Sequence, residues 1–208
     1  MSLKAQAALI CSGCGKKNTV DIYKSINVAQ DPELKAKVLS GELFLSECPG
    51  CGTKNLMAYE CLYHDPGEKY MIWMLPSGEP EGLQKEAIQN QTRAMGDYRL
   101  RIVANAGELI EKVMIFDAGL SDRCIELVKY VAGKELDGVS NLHFYRIQDD
   151  VMVFSGVKDG PDGGKMDGFG FGLNVYEDCE GILKRNEQVD KENGFERIDA
   201  DWVASILK

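Results

Sequence analysis

The sequence predicts an α+β protein: a zinc-ribbon-like N-terminal β region with an inserted helix, then helices, then a strand-rich C-terminal extension. Two observations carry that reading. The first is a repeated pattern, Cys11-Ser-Gly-Cys14-Gly and Cys48-Pro-Gly-Cys51-Gly, with 33 residues between the pairs (48 − 14 − 1). Two cysteines two residues apart and followed by glycine form a metal knuckle. The turn aims both sulfurs at one point, and the glycine accepts the backbone twist that lets amides face the thiolates. One knuckle supplies two ligands and tetrahedral zinc takes four, so two knuckles close one site. The second observation is that alternating apolar runs flank both pairs and return in the last third, with helical spacing between them.

Taken in order, Ala7 to Ile10 leads as a strand into the first knuckle, and Asn18 to Asn27 returns with Val20, Ile22 and Ile26 on one face. Asp31-Pro32-Glu33 starts a helix: aspartate caps, proline takes the first position, glutamate suits the positive end. Leu34, Val38 and Leu39 form its apolar stripe and Gly41 stops it. Glu42 to Glu47 reads as the strand feeding the second knuckle. Asn55 to Tyr63 and Tyr70 to Leu75 read as a hairpin across the turn His64-Asp65-Pro66-Gly67.

Residues 76–96 change texture, with Pro76, Gly78, Pro80 and Gly82 ahead of a polar run, and read as a linker or a short exposed helix. Tyr98 to Val103 is a strand. Asn105 with Glu108 caps a helix carrying Leu109, Ile110, Val113 and Met114, which Gly119 ends. Ser121 or Asp122 caps the next, with Ile125, Val128, Val131 and Ala132 inward and Gly133 at its end. Leu142 to Ile147 and Val151 to Val157 flank Asp149-Asp150 as a hairpin. Met166 to Val175 is a further strand, followed by a helix over 177–185 and a last one capped by Asp199, with Val203, Ile206 and Leu207 inward. The division expected is a domain over 1–136, with residues 76–96 as its internal linker, and an extension over 137–208.

Composition bounds the function. A net charge of −9 and a pI near 4.8 argue against nucleic acid, whose phosphates call for clustered Lys and Arg; Lys16-Lys17 is the one basic doublet near a knuckle. Seven cysteines, an odd number with four in metal spacing and Cys61, Cys124 and Cys179 scattered, suit a reducing compartment. No stretch reaches membrane-spanning length and the opening apolar patch is too short for a signal peptide, so a cytoplasmic protein is expected.

The chemistry expected of the four cysteines is structural zinc, one ion per chain. Rubredoxin-like iron shares the ligand set, and a catalytic zinc would need an open position that four thiolates do not leave. His64 and Asp65, adjacent in the expected turn, are a candidate proton-handling pair. The Gly-rich 159–172 region lacks the lysine of a phosphate loop and the spacing of a calcium loop, so it reads as a turn and an edge strand. Met71-Ile-Trp73-Met74 reads as core or interface, and the hairpin over 55–75 is the candidate docking surface where Trp73 or Met74 lies at a surface.

The two cysteine pairs, the stretch Asp31-Pro-Glu-Leu-Lys-Ala-Lys-Val-Leu-Ser-Gly41-Glu-Leu, Tyr63-His-Asp65 and Arg99-Leu-Arg-Ile-Val103 with the helices after it resemble the CpXC domain, a prokaryotic family of uncharacterised function. The resemblance covers about residues 8 to 135 and implies a zinc-ribbon-like metal site at Cys11, Cys14, Cys48 and Cys51. Ser12 departs from it, standing where the first Cys-Pro-x-Cys motif has proline. The favoured function is a non-enzymatic interaction module with a protein partner or a second copy of the chain, binding neither nucleic acid nor membrane. The alternatives are an enzyme with a cleft between ribbon and C-terminal region, using His64, Asp65 or Asp167, and an electron carrier if the metal is iron.

Overall fold

Alternation of apolar and polar residues makes the first two strands, β1 (Leu3–Ile10) and β2 (Lys17–Asn27), an antiparallel ribbon whose turn is the first cysteine pair. In this computed structural model, which describes residues 2–78, 96–160, 163–186, 189, 192 and 194–207, that ribbon opens a five-stranded mixed sheet. Its other members are β5 (Cys61–Asp65), β6 (Tyr70–Met74) and β7 (Arg99–Val103), in the order β1-β2-β5-β6-β7. The β2/β5 and β6/β7 pairs are parallel and β5/β6 is an antiparallel hairpin. A separate two-stranded sheet, β3 (Leu45–Glu47) with β4 (Lys54–Leu56), carries the second cysteine pair in its turn.

The inserted helix α1 (Glu33–Leu39) buries Leu34 and Val38, and Gly41 ends it at φ +75°, a left-handed value that glycine accepts without strain. Asp31 does not cap it with its side chain. That carboxylate accepts the Ser2 N–H at 3.0 Å, while its backbone carbonyl takes the Leu34 N–H. Residues Glu42–Phe44 form a 3-10 turn rather than the start of a strand, which drops Phe44 into the core and shortens β3. The expected strand over 55–63 is divided: β4 belongs to the knuckle sheet and β5 to the main one. The hairpin turn therefore falls after Asp65, at 66–69.

Two compact units are present: Met1–Ile110 with Gly194–Glu196, and Glu111–Asn193 with Arg197–Lys208. In the first, Ile26, Tyr63, Tyr70, Ile72 and Met74 are fully buried, and Tyr63 stacks on Tyr70 at 5.9 Å. Trp73, 9% exposed, packs with Leu75, Ile102, Leu62 and Phe195 and donates its indole N–H to Glu60 at 3.1 Å. The candidate docking residues Trp73 and Met74 resolve to core: on β5 and β6 the side chains Tyr63, Tyr70, Ile72, Trp73 and Met74 are buried, from both faces of the sheet, while Leu62 and Met71 are half-buried.

The second unit contains the greater part of helix α2 (Ala106–Asp117), then α3 (Asp122–Glu135), a three-stranded antiparallel sheet, α4 (Leu173–Lys184) and α5 (Ala200–Ile206). Asn105 caps α2 by accepting the Glu108 N–H at 3.0 Å, and Glu108 reaches back to the Ala104 N–H at 2.8 Å. Leu109 and Val113 are buried as expected, whereas Ile110 and Met114 are only half-buried. Gly133 does not stop α3, which runs on to Glu135; Val131 is exposed. The sheet joins β8 (Val139–Gln148), β9 (Val151–Lys158) and β10 (Lys165–Gly172) in the order β10-β9-β8. Asp149 and Asp150 both take positive φ (50° and 61°), the signature of the tight turn expected there. The Gly-rich segment over 165–172 is the edge strand β10, which ends three residues sooner than Met166–Val175 would have it because α4 begins at Leu173. Asp199 caps α5 through the N–H groups of Asp201 and Trp202, both at 3.0 Å, and Val203 faces in while Leu207 is exposed. The expected linker over 76–96 lies, for residues 79–95, outside the described part of the chain.

Candidate metal centre

The two cysteine turns are built alike, bond for bond. In the first, Cys11 N–H donates to Lys16 O (3.0 Å) and Gly15 N–H to Cys11 O (2.9 Å). In the second, Cys48 N–H donates to Thr53 O and Gly52 N–H to Cys48 O, both at 2.9 Å. Gly15 and Gly52 take φ +70° and +73°, so the glycine after each pair is required by the turn. The Gly13 N–H faces the Cys11 sulfur at 3.4 Å. A Cβ on Gly13 would run into the Thr53 hydroxyl, so the glycine inside the first pair is what lets the knuckles approach.

They meet at their sulfurs. The Sγ atoms of Cys11, Cys14, Cys48 and Cys51 all lie within 4.8 Å of one another, with Cys11–Cys51 at 3.6 Å and Cys14–Cys48 at 3.7 Å. A tetrahedral ion with Zn–S bonds of about 2.3 Å separates its sulfurs by about 3.8 Å, so the close pairs already have the spacing of a four-thiolate site. All seven cysteines are free thiols. The group is able to hold a metal ion.

Its electrostatics point the same way. The amide of Cys14, with that of Gly13, pulls the Cys11 thiol down to about 6, and the Gly50 amide lowers Cys48. The Lys16 amide acts in that direction on Cys14, but the neighbouring sulfurs, Cys51 first, push it up to about 11. Four thiolates this close repel one another, and a cation at their centre removes the conflict. Further polar groups turn toward the sulfurs: Asn18 Nδ2 lies 3.5 Å from Cys48, Thr53 Oγ1 3.2 Å from Cys51, and Asn55 Nδ2 3.7 Å from Cys11.

The other residues singled out in the sequence do not assemble. His64 and Asp65 are consecutive on β5 and project to opposite faces. Asp65 is held by the Lys35 ammonium at 3.0 Å and by the N–H groups of Gly67 and Glu68, while His64 Nε2 faces the Tyr98 hydroxyl at 3.5 Å and burial lowers its pKa. Asp167 is exposed on β10 and its carboxylate turns back to the Gly168 N–H. Cys61 is a buried thiol whose pKa burial pushes up to about 12, the state of an inert core cysteine.

Sequence reasoning missed a second cluster, in the second unit. Glu111 and Lys112 of α2, with Asp122 and Glu126 of α3, are all nearly fully buried. Glu111 accepts from Phe144 N–H (2.7 Å), His143 Nδ1 (2.9 Å) and Lys129 Nζ (3.1 Å). Lys129 also reaches Glu126 at 3.0 Å, and Lys112 pairs with Asp122 (3.0 Å), Glu126 (3.3 Å) and the Ile198 carbonyl (2.7 Å). Burial alone would raise the Glu111 carboxyl, but the His143 hydrogen bond and the Lys129 charge outweigh it and bring it to about 2. The same bond raises His143. Irregularities in the β8/β9 register on either side of His143–Phe144 turn the Phe144 N–H out of the ladder toward Glu111. One signal was available: α2 reads Leu-Ile-Glu-Lys-Val-Met-Ile-Phe, apolar nearly all round, so charges in its middle have little solvent to reach.

A sheet-borne pair of matching knuckles closing on four sulfurs defines an α+β protein with a ribbon-type cluster of four cysteines that could hold a metal ion. The profile described as CpXC protein matches residues 9–129, more than half of the chain, and the chain belongs to that family. Searches of curated proteins and of solved structures return no match.

Proposed function

We propose that Cys11, Cys14, Cys48 and Cys51 bind one zinc ion in a closed structural site, and that the ribbon it stiffens is a non-enzymatic interaction module for a protein partner. The observation that carries this reading is the closed donor set: four convergent thiolates leave no position for substrate or an activated water. Three apolar side chains stand out around the knuckles. Ile10, one residue before Cys11, is 68% exposed, and Leu45 and Leu56, paired across β3/β4, are 47% and 70% exposed. Apolar anchors on strands that lead into a metal-stiffened turn suit protein docking, because little conformational entropy is lost when they are covered. The charge of −9 works against a nucleic-acid partner, and among the described residues no helix is long and apolar enough to cross a membrane.

The test has two parts. Elemental analysis of protein purified without added metal is expected to give one zinc per chain; a red protein with thiolate-to-iron absorption would instead identify the electron carrier. Leu45→Glu with Leu56→Glu is then compared with the parent by affinity purification from the native host and by sedimentation. Loss of the associated protein, or of self-association, at unchanged zinc content supports the module. Identical association in both proteins removes the exposed Leu45/Leu56 pair of β3/β4 as its surface.

A further inference from the structure

The two knuckles are not equally rigid by sequence. The second carries Pro49 directly after its first cysteine; the first carries Ser12 at the matching position. Proline fixes φ and has no N–H, so Pro49 stiffens its turn unaided, whereas Ser12 leaves its turn freer and adds a backbone N–H and a hydroxyl that need partners.

Both go to one side chain. Asn55, on β4 and 6% exposed, accepts the Ser12 N–H at 2.8 Å and the Ser12 hydroxyl at 2.9 Å through Oδ1. Its Nδ2 donates to the Thr53 carbonyl at 3.0 Å and faces the Cys11 sulfur at 3.7 Å. An asparagine amide offers two acceptor lone pairs and two donor hydrogens, and all four are engaged here. Three of the four bonds run to the first knuckle, from a residue that belongs to the strand leaving the second.

We infer that Asn55 is a positioning residue of the metal centre: it latches the first knuckle to the second through Ser12, and donates a hydrogen bond to the Cys11 thiolate. This rests on the proposed zinc site. A latch of this kind resists opening more than it adds charge to the site. Its effect is therefore expected chiefly in the rate at which metal leaves, because the first knuckle must swing away before two of the four sulfurs let go. Bonds of this outer kind are commonly worth about 10–100-fold in metal affinity.

The experiment uses the full chain loaded with zinc, and separately with cobalt. Zinc release into excess 4-(2-pyridylazo)resorcinol is timed for the parent, Asn55→Leu, Ser12→Ala, Ser12→Pro and the doubles with Asn55→Leu. Asn55→Leu is expected to release zinc about 10-fold faster or more, and Ser12→Pro to approach it. Ser12→Ala, a change at an exposed position that leaves the N–H bond in place, is expected to give a smaller increase. In the Asn55→Leu background neither Ser12 change should add anything, since the bond they break is already gone. The cobalt form of Asn55→Leu should also show a displaced thiolate-to-metal absorption band from the lost N–H···S contact, which general loosening of the fold would not produce. Release at the parent rate in Asn55→Leu, or rates in the doubles equal to the product of the singles, overturns the latch while leaving the zinc site intact. Failure of the parent to take up either metal overturns the zinc site and the latch with it. If Asn55→Leu does not fold, the Ser12 variants decide: parent-like release in both overturns the latch.

Discussion

Replacing Glu111 with alanine should cost the second unit more than any single apolar truncation of its surface, and the size can be worked in two ways. Glu111 takes a lysine, a histidine and a backbone N–H, all within 2.7–3.1 Å and almost wholly away from water. Deleting it leaves the Phe144 N–H unpaired and the Lys129 charge with Glu126 alone, and breaking a buried pair in this way costs about 3–5 kcal/mol. Independently, the carboxyl falls from 4.5 to about 2 in the folded chain. That is a difference of 2.5 pH units, or about 3 kcal/mol of preference for the folded state when ionised. A depressed carboxyl gives stability that is present above pH 4.5 and disappears as pH falls toward 2. The chain has two tryptophans, Trp73 in the first unit and Trp202 in the second, so in a Trp73→Phe background fluorescence reports the second unit alone. Urea unfolding followed this way at pH 6 should show Glu111→Ala destabilised by about 3–5 kcal/mol, and at pH 3 the gap should narrow. Equal urea midpoints at pH 6 would refute the argument, since they would mean that the cluster's charges are satisfied without Glu111.

Three further outcomes are expected. The chain has two histidines, and their NMR titrations should part company: His64 below 6.5 because burial disfavours its cation, His143 above 6.5 because Glu111 favours it. Stability from His143 is then fully present below pH 6.5 and is lost as pH rises through its folded pKa, and a His143→Gln chain should lack that slope; coincident titration curves would contradict it. Gly13→Ala should weaken zinc retention against a chelator about 10-fold or more by forcing the knuckles apart, with partial recovery in Gly13→Ala/Thr53→Ala; undiminished retention in the single variant would count against the close approach. Asp199→Ala removes the acceptor for two N–H groups at the start of α5 and should lower stability by about 1 kcal/mol in the same urea assay, whereas an unchanged midpoint would show the cap to be dispensable.

What the sequence determined by itself was whatever depends on neighbours along the chain. The knuckle turns are local: five or six residues, a glycine at positive φ and two backbone bonds fix where each pair of sulfurs points, and the spacing of Cys11, Cys14, Cys48 and Cys51 announces this directly. The caps at Asn105 and Asp199 and the Asp149-Asp150 turn are equally local and stand as expected. Tertiary structure alone decided which surface a strand shows and where a side chain's partner lies. The stretch over 55–75 has the composition of an interface, but the faces of β5 and β6 are covered, so Tyr63, Tyr70 and Trp73 became core, while Leu56, on the separate knuckle sheet, stayed exposed with Leu45 and Ile10. Asn55 sits 43 residues from Ser12, and Glu111 sits 32 from His143. No periodicity carries such pairings, because a hydrogen bond between distant residues is set by how the strands and helices pack, and the polar residues that make it look in the sequence like any others on a solvated face.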